Sequence, residues 1–400
     1  MWIRRRLDIG WRDLFYGIFR CFVKGSEEES VKGIKSLWPH PERIIPFLSV
    51  RTGFDLLFQA LDFPEESEVI ITAVTLPDMI RVIEKHGLTP VPVDIIPETM
   101  GCSADQFRKA LNPNVKAVVL THLFGGRMPA DDIITLAKQN GLFVIEDLAQ
   151  GFSGCADDGH PEADVSMFSF GTIKTAAALG GAVFSVRSRD AREKMVRMLG
   201  AYPVQKRRTY LLKLLKYTFL KAFTYRWTFG MLVRLFKIVR IDYDSLIHKW
   251  SRGFPGPGFF RKIRHRPSVP LCAVLRRRLI QYDEKRLKDQ KNKGRYLVSM
   301  LQEGIECPGS SAGNHVYWVF PVCIPWKAEF IDTLRSNGFD ATGKHSMSVV
   351  CLPEGRGLEP PHQANRLLDQ IVYLPFYPEI PFNEITRMGG IASSFIKKHA

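Results

Sequence analysis

Two residues in the first half of the chain have side chains suited to covalent chemistry on a carbonyl compound. Lys174 lies in a loop of small residues, GTIKTAAALGG. An amine that is kept from water loses its proton more easily and can form a Schiff base with an aldehyde. Asp147 lies 27 residues earlier, in the hydrophobic segment 142–149, which reads as a strand. A carboxylate there can pair with a cationic ring nitrogen, hold a metal or cap a helix.

A third feature is the start of the helical segment 54–61, which follows Thr52 and Gly53. Free backbone N–H groups at a helix start favour a phosphate, although Thr52 also has an ordinary interpretation as an N-cap. Read alone, Lys174 is equally well explained as a surface lysine. In the order phosphate cradle, carboxylate and lysine, the three features together predict a pyridoxal phosphate site, in which the carboxylate holds the pyridinium N–H.

Strand-like and helical segments alternate through this half of the chain. Apolar segments separated by helices of about ten residues predict parallel pairing in a doubly wound sheet. The predicted strands are 68–74, 89–95, 115–123, 142–149, 164–170 and 181–186. Such sheets bind ligands at the carboxyl ends of their strands, which is where Asp147 and Ser169 lie.

The second half predicts a smaller α/β unit. A long helix over 275–301 is followed by strands at 315–324 and 370–378 and by helices at 328–338 and 383–399. The predicted units are an amphipathic helix at 1–24, a large cofactor-binding domain at 25–200, a basic insertion at 201–266 and a small C-terminal domain at 267–400.

Several motifs together resemble the DegT/DnrJ/EryC1/StrS aminotransferases, a sugar aminotransferase branch of the fold-type I pyridoxal phosphate enzymes. The resemblance covers most of 45–200 and, more loosely, 264–385. The matching motifs are T-G-F at 52–54, V-D-I at 93–95 with E-T at 98–99, H-L-F-G at 122–125, I-E-D-L-A-Q at 145–150, F-S-F-x-x-x-K at 168–174 and L-P-F-Y-P at 374–378. The resemblance implies pyridoxal 5′-phosphate as cofactor and no metal.

The resemblance also implies catalytic roles for individual residues. Lys174 would bind the cofactor's aldehyde and later move the α-proton as general acid and base. Asp147 would pair with the pyridine nitrogen, and Gln150 would lie near the 3′-oxygen. Because the dehydratase variant of the family has histidine at the position of Lys174, the lysine favours transamination.

The phosphate-binding residues follow from the same resemblance. Ser169, Thr52 and the amide of Gly53 would hold the phosphate. Arg264 stands where the family has an Asn that reaches the partner subunit's phosphate, and a guanidinium is a stronger, bidentate ligand.

The implied activity is transfer of an amino group, from glutamate, to a nucleotide- or lipid-linked keto-sugar by a homodimer. Leu76 replaces an aromatic residue that usually stacks on the cofactor, and Thr175 replaces an Asn. Two alternatives therefore stay open: a non-catalytic sensor or scaffold with this fold, and another pyridoxal phosphate reaction on a lipid-like carbonyl compound.

The net charge of +15 is concentrated in two segments, with +4 in residues 1–24 and +14 in residues 201–266. In 201–266 the cations alternate with Leu, Phe and Trp at helical spacing, which favours an anionic membrane surface or a dimer-packing arm and disfavours nucleic acid. The helix at 1–24 is explained by docking on the protein's own body or by binding at a membrane surface, with a transit peptide as a further alternative.

No acidic residue occurs between Tyr210 and Ile241, where the pattern predicts two amphipathic helices with a bend near residues 227–230 and one polar arc of Lys213, Lys216 and Lys221. A Pro/Gly-rich turn is predicted at 253–260. The sequence has no uncharged apolar run of membrane-spanning length. We therefore predict a cytoplasmic protein, bound peripherally at the inner face of the membrane.

The seven cysteines form no C-x-x-C pair. Their scatter excludes a disulfide scaffold and a zinc ribbon, and it favours a reducing compartment.

Overall fold

The computed structural model describes residues 1–239, 254, 257–301 and 304–399. Its strands are β1 (Ile44–Phe47), β2 (Glu68–Thr72), β3 (Val74–Thr75), β4 (Thr89–Val93), β5 (Ile95–Ile96), β6 (Gly101–Cys102), β7 (Val115–Thr121), β8 (Phe143–Asp147), β9 (Val165–Ser169), β10 (Ala182–Val186), β11 (Phe320–Cys323), β12 (Ser348–Val349) and β13 (Ile371–Leu374). Its helices are α1 (Trp11–Phe22), α2 (Glu27–Lys35), α3 (Val50–Leu61), α4 (Pro77–Lys85), α5 (Ala104–Ala110), α6 (Asp131–Gln139), α7 (Arg189–Gly200), α8 (Arg207–Ala222), α9 (Arg226–Ile238), α10 (Phe259–Ile263), α11 (Val269–Ile280), α12 (Glu284–Leu301), α13 (Lys327–Ser336), α14 (His362–Gln370) and α15 (Phe382–His399).

A seven-stranded sheet in the order β1-β10-β9-β8-β7-β2-β4 forms the large unit. The five strands from β9 to β4 are parallel, whereas β10 runs antiparallel to both of its neighbours. The six predicted strands correspond to six of these seven strands, with ends that differ by one or two residues. The doubly wound, mostly parallel sheet is therefore confirmed.

Helices cover both faces of this sheet because side chains alternate along each strand. Val69 and Ile71 of β2 lie in one core with Phe54 of α3. Ile70, between them, lies in a different core with Phe107 of α5.

The smaller C-terminal α/β unit is also confirmed. Strands β11 and β13 pair antiparallel, and α12, α13 and α15 share a core with them. Phe320 and Val322 of β11 pack there with Phe330 and Phe395.

The single long helix predicted over 275–301 is wrong. The chain forms two helices, α11 and α12, separated at residues 281–283. Leu271 and Leu275 of α11 lie in a core with Phe168 of the large sheet. We therefore propose that the boundary between the two units lies near residue 282 rather than at 267.

The predicted helix over 1–24 begins only at Trp11. Residues 2–9, here called the N-terminal strap, are not helical. The Trp2 amide donates to the Gly338 carbonyl at 2.7 Å, and the Asp340 amide donates to the Trp2 carbonyl at 2.8 Å. These long-range hydrogen bonds hold the strap against the small unit and compete with helix formation.

Helices α8 and α9 lie where two helices were predicted, but they meet at residues 223–225 rather than near 227–230, and α10 follows among the described residues of the insertion. Lys213, Lys216 and Lys221 do not form one solvated arc, because Lys221 is buried together with Tyr210 and Leu214. Residues 240–253 of the insertion lie outside the described residues, as does part of the turn predicted at 253–260. Within the described part of the chain, no helix is both long and apolar enough to cross a membrane.

Candidate active site

The predicted reactive residues lie together at the carboxyl edge of the large sheet. Asp147 ends β8 and Ser169 ends the neighbouring parallel strand β9. Lys174 lies in residues 170–180, here called the Lys174 loop, which connects β9 to β10. The Ala178 amide closes this loop by donating to the Phe170 carbonyl at 2.9 Å.

Lys174 is held in an environment that favours its neutral form. Its Nζ lies 4.0 Å from the centroid of the Trp318 ring. Burial lowers the pKa of Lys174 to about 7, the negative charge of Asp147 opposes this change, and the positive charges of Arg5 and Arg51 add to it. At neutral pH a large fraction of this amine is therefore a nucleophile, as a Schiff-base lysine requires.

Asp147 is buried, and burial raises its pKa. The Ala149 amide donates to Asp147 Oδ1 at 2.9 Å and, with the charge of Lys174, favours the ionised form. Among the described residues, no donor contacts Oδ2. One carboxylate oxygen therefore remains available to a ligand N–H group.

The preceding residue, Glu146, has its side chain on the opposite face of strand β8 from Asp147. The Met128 amide donates to His122 Nδ1 at 3.1 Å, so His122 Nε2 carries the proton that lies 2.9 Å from Glu146 Oε1. Burial would raise the pKa of Glu146, but this hydrogen bond and the charge of Arg127 lower it to about 2. Glu146 is thus held in its ionised form by His122 and Arg127.

Gln150 lies beside the same strand end. Its Oε1 accepts a hydrogen bond from the Phe124 amide at 2.9 Å. The amide orientation fixed by this contact leaves the Gln150 NH₂ group as a donor for a ligand oxygen.

The structure places Thr52 and Gly53 differently from the expectation that they hold a phosphate. Helix α3 begins at Val50 with Ser49 as its N-cap, so the amides of Thr52 and Gly53 both donate to the Ser49 carbonyl, at 3.1 and 3.2 Å. The Thr52 hydroxyl donates to the Ile263 carbonyl at 2.8 Å. Both residues are therefore occupied inside the protein.

The helix N-terminus itself still offers donors. Within the described part of the chain, the amides of Val50 and Arg51 have no hydrogen-bond acceptor, as expected for the first turn of a helix. The Ser169 hydroxyl is half-buried and also has no partner among those residues. A phosphate is thus matched by the amides of Val50 and Arg51 and by Ser169.

Arg264 pairs with an acid of its own chain. Its Nε and Nη2 donate to the two carboxylate oxygens of Asp55, at 2.8 and 3.0 Å. Asp55 is fully buried and contacts His86 as well, so its charge requires this partner. Within its own chain, Arg264 therefore neutralises Asp55 and does not reach the phosphate-binding end of the site.

Three residues of the site were missed by the sequence reasoning: Arg5, Arg51 and Trp318. Arg51 stands directly before Thr52, and its contact with Asp78 at 2.5 Å fixes it beside the helix start. Trp318 Nε1 donates to the Ile173 carbonyl at 2.9 Å, which positions the indole against the Lys174 loop. No local pattern connects Trp318 or Arg5 to Lys174, because all three are distant in sequence.

These residues fit pyridoxal phosphate. The site supplies an amine with a lowered pKa, a carboxylate oxygen for a pyridinium N–H, and unpaired donors at a helix start for a phosphate. Together with the mostly parallel sheet, they define the class of protein as a fold-type I pyridoxal phosphate enzyme.

Comparisons with known proteins agree with this class. The profile of the DegT/DnrJ/EryC1/StrS aminotransferase family matches residues 44–236. The dTDP-3-amino-3,4,6-trideoxy-alpha-D-glucose transaminase of Micromonospora megalomicea subsp. nigra is 24% identical over 390 residues, which are 92% of this chain and 91% of that protein. GDP-perosamine synthase of Escherichia coli O157:H7 is 34% identical over 122 residues, which are 30% of this chain and 34% of that protein.

Solved structures share the fold. NtdA from Bacillus subtilis, with bound cofactor PMP, superimposes with a TM-score of 0.67 and 18% identity, covering 99% of this chain and 86% of that one. Over residues 44–236 the chain matches the DegT/DnrJ/EryC1/StrS aminotransferase family, and the comparisons together identify it as a pyridoxal phosphate-dependent aminotransferase.

Proposed function

We propose that this enzyme transfers an amino group from glutamate to the carbonyl group of a keto-sugar carried on a nucleotide or lipid diphosphate. The named relatives act on dTDP- and GDP-linked sugars, which supports a sugar acceptor. The observation that carries the proposal is that Lys174 is buried near Asp147, in surroundings that favour the neutral form of its amine.

We assign the roles within the site as follows. Lys174 binds the cofactor covalently and moves the proton between the substrate carbon and the cofactor. Asp147 Oδ2 holds the ring N–H, and Gln150 donates to the 3′-oxygen. Within one chain, the phosphate is held by the amides of Val50 and Arg51 and by Ser169, rather than by Thr52 or Gly53, and the expected role of Arg264 toward the partner subunit's phosphate stays a prediction. When bound, the cofactor supplies the electron sink on which transamination depends.

We further propose that the enzyme works at an anionic membrane surface. Three helices expose large apolar side chains at helical spacing. These are Phe15, Phe19 and Phe22 of α1, Leu212, Leu215 and Phe219 of α8, and Trp227, Met231, Leu235 and Ile238 of α9. Phe22 is 72% exposed and Trp227 is 83% exposed. Exposed apolar stripes of this size are unusual on a monomer in water.

Cations lie among these apolar side chains. Arg12, Lys216, Arg226 and Arg234 are exposed on the same three helices. Near an anionic bilayer each cation contributes about 1 kcal/mol, in addition to the burial of aromatic rings. This combination supports peripheral attachment and brings a lipid-linked substrate close to the site. The family resemblance also suggests a homodimer, in which a dimer contact is the competing explanation for the apolar stripes.

Two measurements test the proposal. Purified holoenzyme mixed with L-glutamate should lose the visible absorbance of its lysine-bound cofactor and release 2-oxoglutarate. An enzyme that keeps its colour with glutamate and with other amino donors is a sensor or catalyses another reaction.

Flotation with vesicles separates the two explanations for the apolar stripes. We expect the protein to float with phosphatidylglycerol vesicles at low salt and to remain at the bottom with phosphatidylcholine alone. A protein that never floats, and whose dimer in light scattering dissociates when Phe15 and Phe19 are changed to Ser, uses these stripes as a subunit interface.

A further inference from the structure

The N-terminal strap brings one arginine into the candidate active site. Arg5 CZ lies 4.0 Å from the centroid of the Trp318 ring, and the same ring lies 4.0 Å from Lys174 Nζ. The positive charge of Arg5 is close enough to help lower the pKa of Lys174.

Arg5 differs from its two neighbours because it lacks an anionic partner. Arg4 pairs with Asp340 through two hydrogen bonds of 2.8 and 2.9 Å. Arg6 approaches Glu379 at 3.9 Å and lies over the Tyr225 ring. In the part of the chain that the structure describes, no carboxylate or other acceptor contacts the guanidinium of Arg5.

The nearest acid in sequence is already used. Asp8 accepts from Arg286 at 2.6 Å and from the Ala176 amide at 2.7 Å, and it pairs with Arg278 at 3.4 Å. Asp8 therefore ties the strap to the Lys174 loop, and its charge acts on Arg5 without a hydrogen bond or ion pair between the two side chains among the described residues.

The position of Arg5 is fixed by the contacts on either side of it. Ile3 is buried in the core of the small unit and Ile9 in a core of the large unit. With Arg4 on Asp340 of the small unit and Asp8 on the Ala176 amide of the large unit, the strap crosses from one unit to the other and holds Arg5 over Trp318. A half-buried guanidinium that stacks on an indole holds its N–H donors in a fixed direction, so it loses little conformational entropy when it binds a ligand.

An uncompensated charge in a partly dry cleft is costly unless a ligand neutralises it. The cofactor phosphate already has its donors at the start of α3. We propose that Arg5 binds an oxyanion of a substrate, either the carboxylate of the amino donor or a phosphate of the acceptor, in a subsite walled by Trp318. This inference rests on the proposed aminotransferase function.

The test compares wild-type holoenzyme with R5A, R5K and the matched control R6A, which changes an arginine of the same strap outside the site. In one arm, L-glutamate is titrated and the loss of cofactor absorbance gives a half-saturating concentration and a limiting rate. In the other arm, inorganic pyrophosphate binding is measured by calorimetry. The affinity for pyridoxal phosphate and the thermal midpoint are recorded for every variant.

We expect R5A to weaken one of these two ligands by about 10- to 100-fold, the effect of losing one charged hydrogen-bonding partner, while R6A stays near wild type. R5K should fall between them, because an ammonium cannot bind bidentately. Weaker glutamate binding identifies the donor carboxylate, and weaker pyrophosphate binding identifies the acceptor phosphate.

Unchanged values in both arms overturn the proposal. So does a loss of pyridoxal phosphate affinity alone, which would make Arg5 a cofactor ligand. If R5A does not fold, the intermediate effect expected of R5K takes its place, and an R5K indistinguishable from R6A overturns the proposal. If the wild type does not react with glutamate, the proposed donor fails, whereas the pyrophosphate arm still tests Arg5.

Discussion

The Lys174 loop and the outer faces of α1, α8 and α9 differ in which side chains they bury. Charged groups are buried around Lys174, whereas apolar side chains are exposed on the outer faces. Around Lys174, charged groups are buried or half-buried, and the Trp318 ring shields the Lys174 amine from water. On the outer faces, aromatic rings such as Phe19 and Trp227 point into solvent beside exposed cations. The first arrangement favours chemistry on a carbonyl compound, whereas the second favours adsorption to another surface.

Helix α8 connects the two regions. Its inner face holds the Lys174 loop, since the Tyr210 hydroxyl donates to the Ala178 carbonyl at 2.8 Å and Tyr217 interacts with Thr172. Its outer face carries Leu215 and Phe219, which are exposed. A single helix therefore gives the site one of its walls and gives the surface part of its apolar stripe. If the two faces are independent, changes on one should leave the other unaffected.

The largest effect is expected at Lys174 itself. K174A should lose the lysine-bound cofactor absorbance and reduce turnover by at least about 10⁴-fold, because it removes both the covalent attachment and the general acid and base. K221A, which removes another buried lysine near Trp11, should retain the absorbance. A K174A protein that still shows this absorbance would mean that another lysine binds the cofactor.

A smaller effect is expected at Asp147. D147N keeps the shape of the side chain but loses the charge that holds a ring N–H, and we expect a fall in kcat of roughly 10²- to 10³-fold. The measurement is single-turnover reaction with glutamate. D157N, which changes an acid outside the cofactor cleft, is the control, and equal losses in both variants would contradict the assigned role.

The lowered pKa of Lys174 predicts a pH dependence of cofactor binding. Below about pH 7 the amine is protonated, so the rate at which the apoprotein regains its cofactor should fall roughly tenfold per pH unit. The lowered pKa also determines whether the free energy of unfolding rises or falls with pH. Because the unfolded lysine keeps its proton to higher pH, the free energy of unfolding of the apoprotein should rise between about pH 7 and the ordinary lysine pKa.

Stopped-flow absorbance after addition of pyridoxal phosphate, and urea unfolding of apoprotein, measure these two quantities. The K174M apoprotein lacks the titrating amine, so its free energy of unfolding should not show the rise with pH that we attribute to Lys174. A reconstitution rate that is flat from pH 5.5 to 7, values chosen to span roughly one unit below the pKa, would contradict the lowered pKa.

The smallest effect on catalysis is expected from the outer faces. The double variant L215S/F219S should lose most vesicle binding, since each apolar side chain contributes about 1.5–3 kcal/mol when it is buried. Its reaction with glutamate in solution should change by less than about twofold, because surface substitutions are usually energetically small. The matched inner-face variant Y217F should show the reverse pattern, with vesicle binding kept. Parallel losses of both properties in both variants would mean that the two faces are coupled.

Six of the seven strands of the large sheet and the proximity of Lys174 to Asp147 could be predicted from the sequence. Strand identity depends on short apolar runs, and residues at the carboxyl ends of neighbouring parallel strands must meet at one edge. The strand segments and the motifs at 145–150 and 168–174 are short stretches of sequence, so both could be recognised without the tertiary structure.

The remaining parts of the site depend on contacts that form only in the folded chain. The start of α3 at Val50, the pairing of Arg264 with Asp55 and the approach of Arg5 to Trp318 each depend on which partners are brought together from distant parts of the chain. The strap at 2–9 shows the physical reason. Its spacing of apolar residues suits a helix, but hydrogen bonds to Gly338 and burial of Ile3 outweigh that local preference, because tertiary contacts exceed the small propensity differences between conformations.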